Sequence, residues 1–425
     1  MSASELSPTH PPSTAEPLRE WVVVIALGLL LGLQPVTTDL YLPALPQLKH
    51  ELGLTPSATQ WTLSVVILAF GFGQLIWGSI ADRHGRQPVL RWGLSLYVLA
   101  SLVAVLARDL GVLVAARAAQ GAMLSAAVVC GRATIRDLYA PEHGARVMAH
   151  ASTGIGLVAL AGPIIGGLTA TYLGWRATLG VLMLAGLGTL AYVWLLLPET
   201  LPMARRQSVR SWAEMLSDWR QILRHPTFRA HAMLTSSTYG GLYVYLALSA
   251  FVFIEIHGVQ RTHYGLVMAA ISLAYLIGTV FCRRTLPHRG LIGTVRIGAW
   301  ASLCGGLLMV AVSLAQVFSQ HLPPAWTLLP GMCVYAFGHG IHQPCGQTGV
   351  VASFPTRAGA ASALSGFVLA FSAFLIGAVV AWWSSLHGWA GTIHPMTLGM
   401  GLGGICTAWL GLGRVQRDGA PGLYA

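Results

Sequence analysis

The chain has few charged residues for its length. Only 9% of its 425 residues are Asp, Glu, Lys or Arg, and lysine occurs once, as Lys49. Soluble globular domains carry roughly 25% charged residues, so this composition excludes an ordinary soluble domain. Hydrophobic residues make up 55% of the chain. The sequence therefore predicts an integral membrane protein.

Three further absences narrow the class. No segment has the form G-x-x-x-x-G-K-[ST], which excludes ATP-driven transport by this chain alone. The six cysteines show no pairing pattern in a shared loop, so we expect no structural disulfides. The N-terminal tail lacks a short apolar core followed by a small-residue cleavage site, so we expect no cleaved signal peptide. We also expect neither a cofactor nor a bound metal.

Apolar runs of about 20 residues, each long enough to cross a bilayer, recur along the whole chain. Twelve are present: Trp21–Leu42, Trp61–Ile80, Val89–Ala107, Leu110–Val129, Val147–Tyr172, Ala177–Leu197, Ala230–Ile254, Tyr264–Cys282, Leu291–Val317, Trp326–Ala352, Gly359–Trp383 and Pro395–Leu412. The predicted fold is an all-α integral membrane protein with twelve transmembrane helices.

The formal net charge of +11 is distributed unevenly between the loops. If the N-terminus is cytoplasmic, the outer loops keep only Lys49, Arg108, Arg176 and Arg261, and the inner loops hold nearly all the other arginines. By the positive-inside rule, both termini are predicted to be cytoplasmic. The charge thus reports topology, and we expect no nucleic-acid partner.

The longest polar interval, 198–229, divides the runs six and six. The predicted organisation is a tail (1–20), a six-helix bundle (21–197), a linker (198–229), a second six-helix bundle (230–413) and a tail (414–425), with the two bundles pseudo-symmetric. Within the linker, Trp212 to Leu223 has apolar residues at helical spacing, which predicts an interfacial amphipathic helix. A linker without fixed structure is the alternative.

Asp39 is the only one of the 14 acidic residues that lies inside an apolar run. The others lie in tails, polar loops or, for Glu255, at the boundary of a run. A carboxylate at membrane depth costs at least about 2.5–3.5 kcal/mol, so it usually faces a cavity or a partner charge and marks an ion or substrate path. The alternative is that Asp39 lies near the outer end of its helix and is hydrated.

Arg117 is a second charge inside a span, seven residues past Leu110, where the fourth run begins. Since arginine stays charged in proteins, it must pair, form hydrogen bonds or border water at this depth. We interpret Asp39 and Arg117 as a proton-coupling pair. The alternative is that Arg117 ties helices together through Gln120 or backbone carbonyls.

Two glycine-containing segments are predicted to be conformational. Asp82 and Arg86 lie four residues apart, beside Gly78 and Gly85, where a bridge between moving helices could form and break. An exposed loop pair worth under about 1 kcal/mol is the alternative. In the fifth run, a set of residues removes side-chain bulk and one backbone donor, which permits bending and close packing. The set is Gly156, Gly162, Pro163, Gly166 and Gly167.

These segments carry a family resemblance. Gly78-x-x-x-Asp82-x-x-Gly85-Arg86 resembles the signature loop of the major facilitator superfamily, and the glycines and proline of the fifth run resemble a motif of its drug/proton antiporters. The stretch Asp39-Leu-Tyr-Leu-Pro-Ala-Leu-Pro, with Arg117-Ala-Ala-Gln-Gly, is similar to the Bcr/CflA subfamily of drug-resistance transporters. The chain departs from the pattern at Gln87 and in its polar tenth run.

The predicted substrate cavity combines aromatic and polar residues on spans expected to face it. Apolar pockets with a few polar groups suit amphipathic molecules. The 3–4 spacing in the tenth run places its polar residues near one helical face. The predicted cavity residues are Tyr41, Gln120, Tyr239, Tyr243, His339, His342 and Gln343.

The resemblance implies a proton-coupled exporter of small amphipathic drugs or toxic compounds that works by alternating access in a bacterial inner membrane. Its expected partners are a small-molecule substrate, protons and the lipid bilayer, and we expect a monomer that is not an enzyme. Export of a metabolite such as a sugar or amino acid by the same fold is the alternative. A membrane enzyme built on His339, His342 and Cys345 is a third hypothesis.

Overall fold

The computed structural model describes residues 19–206 and 211–420. Most of the predicted N-terminal tail, residues 207–210 of the predicted linker and residues 421–425 of the predicted C-terminal tail lie outside the described residues. The helices are α1 (Glu20–Asp39), α2 (Leu45–Glu51), α3 (Pro56–His84), α4 (Arg86–Leu106), α5 (Leu110–Leu138), α6 (Pro141–Tyr172), α7 (Trp175–Leu196), α8 (Trp212–Arg224), α9 (Pro226–Ala250), α10 (Arg261–Ser319), α11 (Leu328–Ala352), α12 (Ala358–Trp383), α13 (His394–Trp409) and α14 (Val415–Asp418). These two described ranges contain no β-strand.

The number of crossings agrees with the twelve predicted runs. Ten helices in the described ranges are long and apolar enough to span a bilayer. One of them, α10, has 59 residues and breaks at Gly290, where φ is 64°; at 1.5 Å per residue it is far longer than a bilayer core of about 30 Å, so it crosses twice. The 25-residue α11, with its polar stripe, packs along α10 and α9 and adds the twelfth crossing.

The two six-helix halves meet along two pairs of helices. On one side α3 packs against α12, and on the other α6 packs against α10. Glycines allow these approaches: a Cβ on Gly71 would lie 2.5 Å from the Cβ of Ala370, and one on Gly265 would lie 2.6 Å from the carbonyl oxygen of Pro163. The halves are therefore in backbone-level contact at positions where any side chain would separate them.

The glycine motif of α6 serves these same contacts. A Cβ on Gly166 would collide with the Leu40 carbonyl of the first half, and one on Gly167 would lie 2.6 Å from the Arg261 carbonyl of the second. A Cβ on Gly156 would lie 2.9 Å from the Leu276 side chain of α10, whereas Gly162 has space around it. The motif therefore seats α6 between α1 and the other half.

The two ends of the bundle differ. We call one the lysine end, defined by Lys49 and Glu255, and the other the arginine end, defined by Arg86, Arg132 and Arg357. At the lysine end a buried apolar cluster runs across both halves. At the arginine end a cavity of about 340 Å³, which we call the vestibule, lies between α3 and α5 of one half and α11 and α12 of the other.

The amphipathic helix predicted in the linker is confirmed. Helix α8 begins after Ser211, whose side chain accepts from the Glu214 backbone while the Glu214 carboxylate accepts from the Ser211 backbone. This capping box satisfies two orphan N–H groups of the first turn. Trp212 and Leu216 are exposed and Ile222 is buried, and Trp219 lines the vestibule. The linker therefore contributes a wall of the vestibule.

Candidate functional site

Asp39 is the last residue of α1, which carries Pro35 inside its final turns. The hydroxyl of Thr38 donates to Asp39 Oδ1 at 2.7 Å. Among the described residues, no Lys, Arg or His lies within ion-pair distance of Asp39. Its side chain is partly exposed. Thus the carboxylate has one neutral donor and no balancing charge.

A second, deeper cavity of about 70 Å³ lies between the halves, next to the end of α1 that carries Asp39. The preceding residue, Thr38, lines that cavity, and so does Gln34 one turn earlier. Immediately after Asp39 the chain enters the closed lysine end, where Leu40, Tyr41 and the turn Leu42–Ala44 are buried. The carboxylate therefore marks the boundary between the cavity and the closed end.

Arg117 is fully buried on α5 and holds four helices together. Its guanidinium donates to the carbonyl of Thr62 on α3 at 3.2 Å, to Gln120 Oε1 at 2.9 Å and to the carbonyl of Thr37 on α1 at 3.0 Å. The Gln120 amide donates in turn to Ser101 Oγ on α4 at 2.7 Å. These contacts are the ones expected if Arg117 ties helices together through Gln120 and backbone carbonyls.

The ring of Tyr41 completes this cluster. Its centroid lies 4.5 Å from the Arg117 guanidinium carbon, and its hydroxyl is 3.0 Å from Thr62 Oγ1. A cation over an aromatic face is stabilised electrostatically. Tyr41 and Gln120, both predicted to face the substrate, are instead fully buried around Arg117 and line neither the vestibule nor the deeper cavity.

Arg117 and Asp39 do not form an ion pair in the described part of the chain. Arg117 instead binds the backbone of α1 at Thr37, two residues before Asp39. Any coupling between the two charges therefore runs through the last turn of α1.

Two of the predicted cavity residues, Tyr239 and Gln343, line the deeper cavity. Gln343 Oε1 is buried and has no hydrogen-bond partner among the residues that the structure describes. The neighbouring Tyr243 is buried and its hydroxyl lies 2.8 Å from Ser64 Oγ of the other half. Tyr239 and Tyr243 stack with centroids 6.4 Å apart. The aromatic pair thus extends from the cavity to the contact between halves.

The two histidines of α11 lie in the interior of the second half. His339 packs between Tyr239 and Tyr275, with ring centroids 5.9 Å and 5.5 Å away. His342 contacts the Val295 carbonyl at 3.2 Å and Thr238 Oγ1 at 3.4 Å. Among the described residues, no cluster of three His, Cys, Asp or Glu side chains could hold a metal ion. His339 contacts the lining of the deeper cavity at Tyr239.

The predicted gate loop has the expected bridge and two further partners. Gly85 has φ 97°, which turns the chain sharply between α3 and α4. Arg86 Nη1 lies 2.7 Å from Asp82 Oδ1, and its Nε lies 2.8 Å from Asp137 Oδ2 on α5. The Arg86 backbone N–H donates to Glu199 at 2.9 Å. Gly78 and Asp82 line the vestibule. The loop therefore connects α3 with α5 and with the segment that follows α7.

An ion pair at the lysine end was not predicted. Lys49 Nζ lies 2.6 Å from Glu255 Oε2, and His50 Nε2 lies 3.3 Å from Glu255 Oε1. These residues belong to different halves, and Lys49 and Glu255 are 206 positions apart. Glu255 lies in the π-helical turn Phe251–Ile256 that ends α9. The available signal was that Lys49 and Glu255 both border apolar runs on the predicted outer side.

Arg132, Gln34, Gln74 and Gln347 also line the deeper cavity and were not predicted. Arg132 and Gln74 line the vestibule as well, so they lie where the two spaces meet. The polar residues of α3 and α5 could have been noticed from sequence. The direction in which these side chains point could not be predicted, because both faces of these helices are largely apolar.

The sequence profile of the Major Facilitator Superfamily matches residues 27–377. A chloramphenicol resistance protein from Pseudomonas aeruginosa is 28% identical over 291 residues, 68% of each chain. A bicyclomycin resistance protein homolog from Haemophilus influenzae is 26% identical over 85% of this chain and 89% of its own. Multidrug resistance protein D from Escherichia coli is 28% identical over 81% of this chain and 84% of its own.

Solved structures share the fold. The human organic anion transporter MFSD10 superposes with a TM-score of 0.69 at 19% identity, covering 92% of this chain and 99% of its own. The xylose transporter XylE from Escherichia coli, in a partially occluded inward-open conformation, gives 0.69 at 14% identity over 92% and 96%. At these identities the likeness concerns the arrangement of helices.

Proposed function

Because this chain belongs to the major facilitator superfamily and is a multi-pass membrane transporter of small molecules, we propose that it exports amphipathic toxic compounds in exchange for protons. Its drug-resistance relatives support this choice of substrate class. No finding favours sugar export. We further propose that the chain acts as a monomer in a bacterial inner membrane.

The observation that carries the proposal is the setting of Asp39. It is a carboxylate at membrane depth with one neutral hydrogen-bond donor and no cation within ion-pair distance among the described residues. Such a group changes its charge by binding a proton rather than by pairing with an internal cation. Because Asp39 adjoins the cavity through Thr38, a substrate that needs the charged form there competes with the proton.

The arginine end is proposed to face the cytoplasm, since it holds most of the arginines. In this arrangement the vestibule is open inwards and the lysine end is closed outwards. A substrate enters from the cytoplasm past Arg132 and Gln74 to reach the deeper cavity. Opening of the lysine end then requires the halves to separate across the Lys49–Glu255 pair and the apolar cluster around Tyr41.

The proposal predicts the drug tolerance of cells that carry single-residue variants. In a pump-deficient bacterium, wild-type protein should raise tolerance to a subset of a panel of antibiotics and dyes. Asp39→Asn should return that tolerance to the empty-vector level, because asparagine cannot carry a proton. Asp109→Asn is the matched control: Asp109 is exposed and caps α5, and asparagine caps helices equally well.

Two outcomes would overturn the proposal. Full tolerance in Asp39→Asn cells, with the variant present in the membrane at the wild-type level, would remove the role of Asp39. Absence of any shift in tolerance, together with export of a labelled metabolite, would replace the drug substrate with a metabolite.

A further inference from the structure

The lining of the deeper cavity combines neutral polar side chains with a positive one. Its polar lining is Gln34, Thr38, Gln74, Tyr239, Gln343 and Gln347, and its one charged lining residue is Arg132 among the residues that the structure describes. The apolar part of the wall includes Phe70 and Leu369. A guanidinium on a wall of amides and hydrocarbon presents donors to whatever enters.

Arg132 has no neutralising partner in the described part of the chain. Among the described residues it makes no hydrogen bond or ion pair, although it is partly buried. Arg136, one turn further along α5, also lines the vestibule and is likewise without an ion pair in the described part of the chain. A partly buried guanidinium loses part of its hydration, and an anionic or strongly accepting group on a bound molecule can replace it.

The acidic residues that line the vestibule with Arg132, and Asp137 behind them, are bound by other arginines. Asp82 and Asp137 both bind Arg86, at 2.7 Å and 2.8 Å. Asp218, at the α8 wall of the vestibule, binds Arg357 at 3.0 Å. The path from the arginine end to the deeper cavity is therefore positive, and its fixed charge favours entry of molecules that carry a negative group.

We propose that Arg132 is a specificity-determining residue that binds a carboxylate, or an equivalent pair of acceptor oxygens, on the exported molecule. Two parallel N–H···O bonds from the guanidinium fit such a group. The apolar or aromatic body of the substrate lies against Phe70 and Leu369, and its donor groups face Thr38 and Asp39. The inference rests on the proposed function, because it names the substrate chemistry of that same site.

The cavity thus orients its substrate. The acceptor oxygens of the substrate lie towards the arginine end, where Arg132 stays charged. The hydrogen-bond donors of the substrate lie towards Asp39, whose charge depends on proton binding. A molecule bearing only a cationic group meets Arg132 as a like charge on the way in. Acids and zwitterions are therefore preferred over their esters.

The test uses one dye scaffold in two forms. Tetramethylrhodamine carries a free benzoate, and its methyl ester lacks that negative charge but keeps the aromatic body. Binding of each to purified full-length protein in detergent is measured by fluorescence anisotropy. Wild-type protein should bind the acid more tightly than the ester by about tenfold to a hundredfold, the range of one charge-assisted contact.

The variants separate charge from folding. Arg132→Gln should remove the preference by weakening binding of the acid while leaving affinity for the ester unchanged, and Arg132→Lys should keep part of it as a point charge. Arg284→Gln is the charge-matched control, since Arg284 is exposed on α10, six residues before the break at Gly290. Elution as a single peak in size exclusion shows that each variant is folded.

Equal affinity of wild-type protein for acid and ester, failure of the acid to bind, or a preference unchanged in Arg132→Gln would each overturn the inference. Those results leave the proposed function intact, because proton exchange at Asp39 is measured separately with compounds that give a tolerance shift. Loss of that exchange in the wild type would instead remove the proposed function.

Discussion

At the lysine end and at the arginine end of this transporter, the two halves face each other with different kinds of side chain. At the lysine end, the halves meet through buried apolar side chains, the Ser64–Tyr243 hydrogen bond and the contacts of Glu255 with Lys49 and His50. At the arginine end, charged groups line a vestibule of about 340 Å³, and the ion pairs there include Arg86 with Asp82 and Asp137.

The difference indicates which contacts must break in a transport cycle. Opening the lysine end exposes apolar surface and separates a partly buried ion pair, both of which cost free energy. The arginine pairs, by contrast, lie within the first half or on the linker wall and can persist when the vestibule closes. Asp39 lies at the boundary between the closed lysine end and the deeper cavity. A change in its charge can therefore bias the equilibrium between the conformations in which one end or the other is open.

The largest effect is expected at Arg117, which supports the closed end from inside the first half. Arg117→Ala removes a charged donor from the Thr37 and Thr62 carbonyls and from Gln120 Oε1, and each hydrogen bond of this kind is worth about 1.5–3 kcal/mol. The variant should lose most of its thermal stability and all transport. Thermal unfolding of detergent-purified protein measures this, with exposed Arg284→Ala as the control.

A double-mutant cycle sharpens the same point. Since Arg117 and Asp39 form no ion pair in the described part of the chain, combining Arg117→Ala with Asp39→Asn should give additive losses, within about 0.5 kcal/mol. Recovery of stability in the double variant would show that the two charges compensate each other, as the sequence suggested.

The next effect concerns the Lys49–Glu255 pair, whose side chains are 17% and 24% exposed. Glu255→Gln should loosen the closed end, and backbone amides of Leu42–Ala44 and Phe251–Ile256 should exchange hydrogen about threefold to tenfold faster, as expected for a pair worth about 1 kcal/mol. Hydrogen–deuterium exchange with mass spectrometry reports both segments.

Glu51→Gln is the matched control for that prediction. Glu51 lies at the same end but binds Trp175 and Arg176 of its own half. Its replacement should leave the exchange of Phe251–Ile256 unchanged. Equal effects of the two variants would mean that Glu255 does not hold the halves together.

The smallest effects are expected at the arginine end, in the gate loop. Asp137 is 14% exposed and Asp82 is 46% exposed, although both bind Arg86. Asp137→Asn should therefore slow transport more, by about tenfold, than Asp82→Asn, by less than about threefold. Substrate affinity should be nearly unchanged in both, since the loop is not part of the deeper cavity. A large loss of equilibrium binding in either would indicate a ligand role.

The fold could be predicted because its signals are local. Each crossing is a run of apolar residues, and Asp82 and Arg86, only four residues apart on either side of the turn at Gly85, stay close to each other in any arrangement of the helices. The amphipathic pattern from Trp212 likewise predicted α8. These inferences needed only the helical repeat and the thickness of a bilayer.

The site could be predicted only in part, because its partners are distant in sequence. Arg117 had several acceptors within reach, and the fold selects two backbone carbonyls and Gln120 over Asp39. The Lys49–Glu255 contact depends on how two halves dock. The direction in which Arg132 points depends on how α5 is rotated about its axis. That rotation cannot be predicted from the sequence of a largely apolar helix.

The central claim is that Asp39 exchanges its proton for substrate at the boundary of the closed end. Its most direct test is proton release when a transported compound is added to purified protein in weakly buffered solution at neutral pH. Wild-type protein and Asp109→Asn should release protons in proportion to bound substrate, and Asp39→Asn should release none while still eluting as a folded species. Undiminished release from Asp39→Asn would contradict the claim and move the coupling to another carboxylate, with Glu255 the first to examine.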